Sequence, residues 1–222
     1  FIINYYSYMD LKVRDRTDDE LNIRKKEFLK ICDVLTSLKI NFFLNSGILL
    51  GAIRDNDFIK WDWDIEISVF SYEFFPKIDL ICLTLEKSGF KITRIIRNKN
   101  NLKIDFIGIC PSDVTSYTIY GWKYSKLRDV YWRKELSIPS KFLNKLSKFN
   151  FLGQQFNCPS YIEEYLTFVY GNWKIPLRTS NKKVYLTKNY KKKILSYTIL
   201  MESFFMKIFN ILKIIKNFIF FK

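Results

Sequence analysis

The segment FIKWDWDIEISVF, residues 58–70, alternates with period two. Asp62, Asp64 and Glu66 fall on one face of a strand, and Trp63, Ile65 and Ile67 fall on the other. Neighbouring acids on such a face have Cα atoms roughly 6.5–7 Å apart, close enough to repel one another in a partly buried site. A divalent cation relieves that repulsion, and a set of hard oxygen donors selects Mg²⁺ or Mn²⁺ over Zn²⁺. Against a polyphosphate, such a site supports phosphoryl transfer and leaves one carboxylate near the attacking hydroxyl. Asp105, flanked by Ile104 and Phe106 in another strand-like run, is the candidate third carboxylate. The same alternation also suits the solvated face of an amphipathic strand.

A small-residue turn precedes the acids. In NSGILLGAIR, residues 45–54, the backbone at Ser46 and Gly47 can approach a phosphate closely. Ser46 adds a hydroxyl, and the helix start that follows presents free N–H groups. Arg54 lies one to two turns later, where a guanidinium could grip a phosphate oxygen pair.

Composition narrows the chemistry. The 222 residues include 37 Lys and Arg, 22 Asp and Glu and no histidine, a formal charge of +15. Without histidine there is no Ser-His-Asp or Cys-His nucleophile system, no histidine-metal site and no imidazole switch. Cys32, Cys82, Cys110 and Cys158 are too widely spaced for a CxxC metal pattern, and read as reduced, mostly buried thiols. At 48% hydrophobic and 18% aromatic residues, the chain is rich enough to bury a core, which excludes global disorder. The charge points to an anionic partner: a phosphorylated donor, nucleic acid or a lipid surface. Compositional drift toward Lys, Asn, Ile, Phe and Tyr accounts for part of the excess.

These residues need elements to hold them. TDDELNIRKKEFLKICDVLTSLK, from Thr17, predicts a helix with acids in its first turn and Leu21, Phe28, Ile31, Leu35 and Leu38 along one stripe. Residues 40–47 predict a short buried strand ending in the small-residue turn, and ILLGAIRD a short helix. Residues 72–88 predict a helix with Pro76 in its early turns, closed by Gly89. KITRIIR and LKIDFIGI, separated by NKNN, predict a hairpin whose second strand carries Asp105. After about Tyr120 the alternation fades, and SYIEEYLTFVYG predicts a further helix. The pattern is that of an α+β domain: a mixed sheet flanked by helices, with a C-terminal helical extension.

Taken whole, SGILLGAIRDNDFIKWDWDIEI, residues 46–67, resembles the LicD/fukutin family, whose signature reads approximately SGxLLGAxRxxxFIxWDxDxD. That family belongs to the DNA-polymerase-beta-like nucleotidyltransferase superfamily. IDFIGI resembles its third-carboxylate strand, and FLGQQFNCPSYIEEYLTFVYGNWKIP, residues 151–176, its C-terminal signature. The resemblance runs from about residue 28 to 176. It implies a nucleotidyltransferase-like core over 17–135 and a mostly helical remainder of the domain over 136–181; residues 182–222 lie outside the resemblance and read by their composition as a basic amphipathic helical tail. It further implies Asp64 and Glu66 as the metal pair for Mg²⁺ or Mn²⁺, Asp105 as third metal ligand, Asp62 as accessory carboxylate, and Ser46, Gly47 and Arg54 as donor-phosphate contacts. Glu66 departs from the family's usual Asp, which moves that carboxylate outward by about one C–C bond. Glu163, Glu164, Tyr170, Gly171 and Trp173 match the second signature and read chiefly as structural.

The implied activity is transfer of phosphocholine or a phospho-alditol from a CDP-activated donor to a hydroxyl of a surface or lipid-linked glycan, as in lipopolysaccharide or teichoic acid modification. Two other readings stay open: nucleotidyl transfer from an NTP with release of pyrophosphate, and an inactive, membrane-associated family member. Residues 182–222 carry ten lysines against one acid, Glu202, and on a helix Ser203, Lys207, Asn210, Lys213 and Asn217 form a narrow polar seam. A basic helix with a wide apolar face is expected at an anionic membrane through 191–222. Docking on the catalytic domain is the alternative; nucleic acid is not expected as a partner. No stretch reaches the ~20 apolar residues of a membrane span. The expected location is cytoplasmic and peripheral at the membrane, or the Golgi lumen for a eukaryotic chain whose anchor precedes Phe1.

Overall fold

The structure, a computed structural model, describes residues 14–108, 115–179 and 181–191, together with positions 204, 208 and 211. Helix α1 (Asp18–Ser37) opens with a capping box. The Thr17 hydroxyl accepts from the Glu20 N–H at 3.3 Å, and the Glu20 carboxylate accepts from the Thr17 N–H at 2.7 Å. The expected stripe is present: Leu21, Phe28, Ile31 and Leu35 are buried, with Leu38 partly buried just past the helix end.

Strand β1 (Phe42–Leu44) leads into α2 (Ser46–Arg54), and β2 (Asp64–Phe70) follows. A single turn, α3 (Ser71–Phe74), passes through a 3₁₀ turn containing Pro76 into α4 (Ile78–Lys87). Gly89, at φ +91°, turns the chain into the hairpin of β3 (Lys91–Arg97) and β4 (Leu102–Ile107). Strand β5 (Ser116–Ser125) then inserts between β2 and β4, giving the order β1-β2-β5-β4-β3. The β2/β5 pair is parallel and its neighbours are antiparallel, so the sheet is mixed. A parallel pair needs a long crossover, which α3, α4 and the β3/β4 hairpin supply.

Period two divides the sheet faces. Ile65, Ile67, Ile104, Phe106, Tyr117 and Ile119 are buried on one face, where Tyr117 donates a hydrogen bond to Glu27 of α1 at 2.5 Å. Asp64, Glu66, Lys103, Asp105, Thr118 and Tyr120 share the other. The register sets Glu66 beside Thr118, Thr118 beside Asp105 and Asp105 beside Arg94, one row across four strands.

The C-terminal part departs from the sequence reading. Strand structure continues past Tyr120: β5 runs to Ser125, and β6 (Val130–Arg133) and β7 (Leu136–Pro139) extend the sheet. Strands β8 (Ser147–Phe151) and β9 (Gln154–Cys158) form a separate hairpin, and before residue 181 only α5 (Ile162–Tyr170) is α-helical. Residues 136–181 are therefore not mostly helical. These strands are four or five residues long and separated by tight turns with positive φ at Asp129, Lys134, Leu152 and Gly153. Such runs are too short for alternation to stand out in an aromatic-rich sequence. The β8/β9 hairpin docks on α1 through Phe151 and Phe156, whose rings lie 6.4 and 5.6 Å from that of Phe28.

Cys32, Cys82 and Cys158 are buried free thiols, and burial raises the pKa of Cys82 and of Cys158 to about 11. Cys110 lies outside the described residues. So does nearly all of the amphipathic tail expected over 191–222. Among the described residues no helix is long and apolar enough to cross a membrane.

Candidate active site

The N-terminus of α2 is held over the acidic face by a buried polar network. Asn45, fully buried, caps α2: its Oδ1 accepts from the Ser46 N–H at 2.7 Å, and its Nδ2 donates to the Ser68 hydroxyl at 3.1 Å. Trp122 Nε1 donates to the same Ser68 oxygen at 3.0 Å. From α5, the Tyr165 hydroxyl donates to Asn45 Oδ1. Ser46 takes φ +51°, a left-handed conformation unusual for a non-glycine residue and of a kind that concentrates at functional sites. Gly47 is required by what lies above it: a Cβ there would stand 2.4 Å from Asp62 Oδ2.

The three acids of β2 and its approach are tightly coupled. Burial raises the pKa of Asp62, against the pull of Arg24, whose guanidinium donates to the Asp62 carbonyl at 2.8 Å. Burial also lifts Asp64 well above the ordinary carboxylate range, and the like charges of Asp62 and Glu66 add to that rise. Glu66 goes the other way. Burial would raise it, but Arg133 and then Lys182, with the hydroxyls of Ser46 and Tyr120 beside it, hold its pKa down. Arg133 is 5% exposed, 3.2 Å from the Glu66 carboxylate, and its guanidinium lies 3.5 Å from the Tyr120 ring centroid.

These groups open into one cavity of about 530 Å³. Its floor includes Ser46, Gly47, Asp62, Asp64 and Glu66, and its rim includes Arg54, Trp61 and Trp173. The far wall is the segment 181–191, containing α6 (Lys182–Tyr185). It is pinned by the Thr187 N–H to the Val169 carbonyl at 2.9 Å and by the Ser137 N–H to the Tyr190 carbonyl at 3.0 Å. Two buried polar atoms here, Arg133 Nε and the Tyr190 hydroxyl, have no hydrogen-bond partner of good geometry among the described residues. Buried donors left open at a cavity wall suit a ligand rich in acceptors, such as a phosphate.

The structure thus brings Ser46, Gly47, Arg54, Asp62, Asp64 and Glu66 to one cavity. Arg54 makes a two-point ion pair with Asp55, 2.7 Å at each contact, and lies 5.8 Å from the Trp61 ring. Asp105 does not line the cavity. Thr118 stands between it and Glu66, a separation of about 10 Å at two strand spacings, and its carboxylate is bound by Lys103 and by the Thr118 hydroxyl at 2.9 Å. Asp64, Glu66 and Asp105 are therefore not gathered around one point, and among the described residues no three His, Cys, Asp or Glu side chains are. The donor chemistry of the pair Asp64 and Glu66 still suits a hard divalent cation: both donors are oxygen, and Asp64 lacks a neutralising partner equal to its two acidic neighbours.

Sequence reasoning missed Arg133, Asn45, Tyr165 and Lys182. Asn45 carried a usable signal, an Asn directly before a helix start. Tyr165 lies within the second signature without having been singled out, and Arg133 gives no local sign at all.

A mixed sheet with paired acids on one strand and a small-residue turn above them defines a nucleotidyltransferase-like domain. The chain belongs to the family described as LicD/FKTN/FKRP, nucleotidyltransferase domain, which matches residues 39–161. It is 24% identical over 185 residues to ribitol-5-phosphate transferase FKTN of Mus musculus and 26% identical over 187 residues to that of Homo sapiens. These matches cover 78% and 79% of this chain, which spans 38% of the length of each relative. Among solved structures it resembles ANT(2")-Ia in complex with adenylyl-2"-tobramycin, at a TM-score of 0.45 and 13% identity over 65% of this chain and 72% of that one. It also resembles the solution structure of ANT(2'')-Ia, at 0.46 and 12%, over 74% and 80% respectively.

Proposed function

We propose that this chain is a metal-dependent transferase that moves phosphocholine or a phospho-alditol from a CDP-activated donor to a hydroxyl of a cell-surface or lipid-linked glycan. Family membership supports the class, and the relatives named as ribitol-5-phosphate transferases favour a phosphorylated alditol as the group moved. The observation that carries the reading is the convergence, in one cavity, of the α2 N-terminus, the acids of β2 and the cations Arg54, Arg133 and Lys182.

Asp64 and Glu66, with Asp62 alongside, are the residues that would hold Mg²⁺ or Mn²⁺, which when bound supplies positive charge to the donor diphosphate. The Gly47 N–H, with the Ser46 hydroxyl beside it, binds phosphate oxygens. Arg54 and Lys182 face the same anion from the rim and the far wall and steady the leaving CMP. Arg133 keeps Glu66 ionised and fixed in position. The acceptor oxygen forms a bond to the distal phosphorus, the bond to CMP breaks, and CMP departs with that electron pair. The hydroxyl proton passes to Asp62, a cavity carboxylate outside the metal pair that has no guanidinium paired to its oxygens. Contact with an anionic membrane through 191–222 belongs to the same proposal and rests on sequence alone.

The test is a panel of CDP-choline, CDP-ribitol and CDP-glycerol with Mg²⁺, reading CMP release, with Asp64→Asn as the blank. Metal-dependent CMP release from at least one donor is expected. Release of pyrophosphate from an NTP in its place, or no release from any donor, would overturn the reading.

A further inference from the structure

The mouth of the acidic cavity carries apolar side chains that the fold leaves uncovered. Ile175, Leu177 and Val184 all line the cavity, yet they are 64%, 51% and 59% exposed. A side chain that does both stands at the opening, so the lip formed by residues 173–179 and 181–186 is apolar and faces solvent. Single exposed apolar residues are ordinary on a protein surface, whereas three at one opening mark a contact surface. Cations surround them. Lys174, Arg178, Lys182, Lys183, Lys188 and Lys191 fall within residues 172–191, and that stretch holds no Asp or Glu. Lys174 meets Glu163 and Arg178 meets Asp15, each at 3.5 Å and with both partners exposed. Lys183 and Lys188 are exposed and have no ion pair among the described residues.

The lip is held from beneath. Trp173 is buried and its Nε1 donates to the Thr167 hydroxyl of α5 at 3.2 Å, and Tyr190 is buried with its ring 6.2 Å from that of Phe168. The apolar tips and the lysines thus project from a fixed base, and a partner that meets them orders little backbone. An anionic surface with an apolar interior satisfies both: ammonium groups stay at the headgroups while the apolar side chains pass below them. A nucleic acid would satisfy the cations and leave Ile175, Leu177 and Val184 in water. The chain also runs from Lys191 directly into Lys192 and Lys193, and beyond them Phe204, Ile208 and Ile211 are helical and exposed at i, i+4 and i+7, one apolar stripe.

We propose that the cavity lip is a membrane-docking surface. Ile175, Leu177 and Val184 enter the interface of an anionic bilayer, Lys174, Lys183 and Lys188 meet its phosphates, and the cavity opens toward the lipid. This is a contact made by the folded domain itself, additional to the one proposed for residues 191–222, and it does not depend on the transferase reading.

The test is flotation of the full chain with phosphatidylcholine vesicles, with and without phosphatidylserine, together with hydrogen exchange of the same chain free and on the vesicles. Expected results are binding that requires phosphatidylserine and weakens with salt, and exchange that slows over residues 173–186 when vesicles are added. Two variants divide the surface. Ile175→Asn/Leu177→Asn removes apolar contact and Lys183→Gln/Lys188→Gln removes charge; each should weaken vesicle binding about tenfold while the melting temperature stays within a few degrees of wild type. No binding to phosphatidylserine vesicles, or equal binding by both variants, would overturn the proposal. So would slowed exchange confined to residues 192–222, which would leave the tail as the whole contact. Exchange over 173–186 that is already slow without vesicles, and is quickened by Ile208→Asn/Ile211→Asn, would also overturn it by showing that the tail covers the lip. If vesicles protect the lip while no CDP donor is turned over, the docking surface stands and the transferase reading fails.

Discussion

The Tyr165 hydroxyl on α5 donates a hydrogen bond to Oδ1 of Asn45, the residue that caps α2 at the acidic cavity. Both residues are fully buried, so the C-terminal signature is joined to the small-residue turn through the interior. Asn45→Ala removes the cap and strips a partner from Ser46, Ser68 and Tyr165 together, and should cost about 2–4 kcal/mol. Tyr165→Phe removes one donor and should cost about 1 kcal/mol. Urea unfolding followed by tryptophan fluorescence measures both, and an equal, negligible effect would show that the network does not hold α2.

Two glycines of the SGILLGA run separate site from fold. At Gly47 an added Cβ meets the carboxylate end of Asp62, which can swing away. At Gly51 it meets backbone, Asp57 O at 2.5 Å and Ile59 N at 2.9 Å, which cannot. Gly47→Ala should therefore leave the melting temperature within a few degrees of wild type while lowering kcat at least tenfold through a displaced Asp62. Gly51→Ala should destabilise the protein by about 2 kcal/mol or more, as overpacking does. Thermal unfolding beside CMP-release kinetics separates the two outcomes.

That run shows what the sequence discloses. The acids of β2 were legible because period two places Asp64 and Glu66 on one face whatever the strand pairs with, while Asp62 lies just before the strand begins. The turn at Ser46 and Gly47 was legible only together with the acids that follow it, because small residues before a helix are by themselves more often a plain turn. What was not legible depends on strand order. Asp105 does lie on the acidic face, but β5 comes between β4 and β2 and sets Thr118 between the acids. Arg133 and Tyr165 find Glu66 and Asn45 across 67 and 120 positions, where no local pattern reaches. The late short strands were missed for the related reason that four residues between tight turns show no period.

Arg133 and Glu66 form a buried pair, and removing one partner exposes the cost of the other. Arg133→Gln should destabilise the protein by about 3 kcal/mol and abolish transfer. The double variant Arg133→Gln/Glu66→Gln should regain most of that stability and none of the activity. A double-mutant cycle from urea unfolding, run with the CMP assay, reads both; simple additivity would mean that the pair is not coupled.

The capping box of α1 gives stability a pH dependence of its own. The hydrogen bond from Arg14 to Glu20, helped by the Thr17 N–H, lowers the Glu20 pKa from 4.5 to about 2. A carboxylate depressed by folding binds its proton more readily in the unfolded chain. Its stabilising contribution is thus complete above about pH 4.5 and is lost as pH falls toward about 2. Between those values the wild-type melting temperature should fall more steeply with acid than that of Glu20→Gln, which lacks the titrating group. Parallel curves would remove Glu20 from the acid response.

Lys182 stands across the cavity from Asp64 and Glu66, where its charge opposes the rise of Asp64 and helps hold Glu66 down. It lies outside the stretch matched by the family and arrives on the segment that Thr187 and Tyr190 pin against α5 and β7. Its own side chain has no ion pair among the described residues, so its charge is available to an incoming diphosphate. Lys182→Gln should raise the KM for the CDP donor about tenfold, the worth of one charge-assisted contact of ~1.4 kcal/mol, while Lys182→Arg should stay within about threefold of wild type. If Lys182 acted only by easing the repulsion among the acids, Lys182→Gln would change the metal concentration required and leave the donor KM alone. Titrating Mg²⁺ at saturating donor, and donor at saturating Mg²⁺, decides between contact with the substrate and support of the acids.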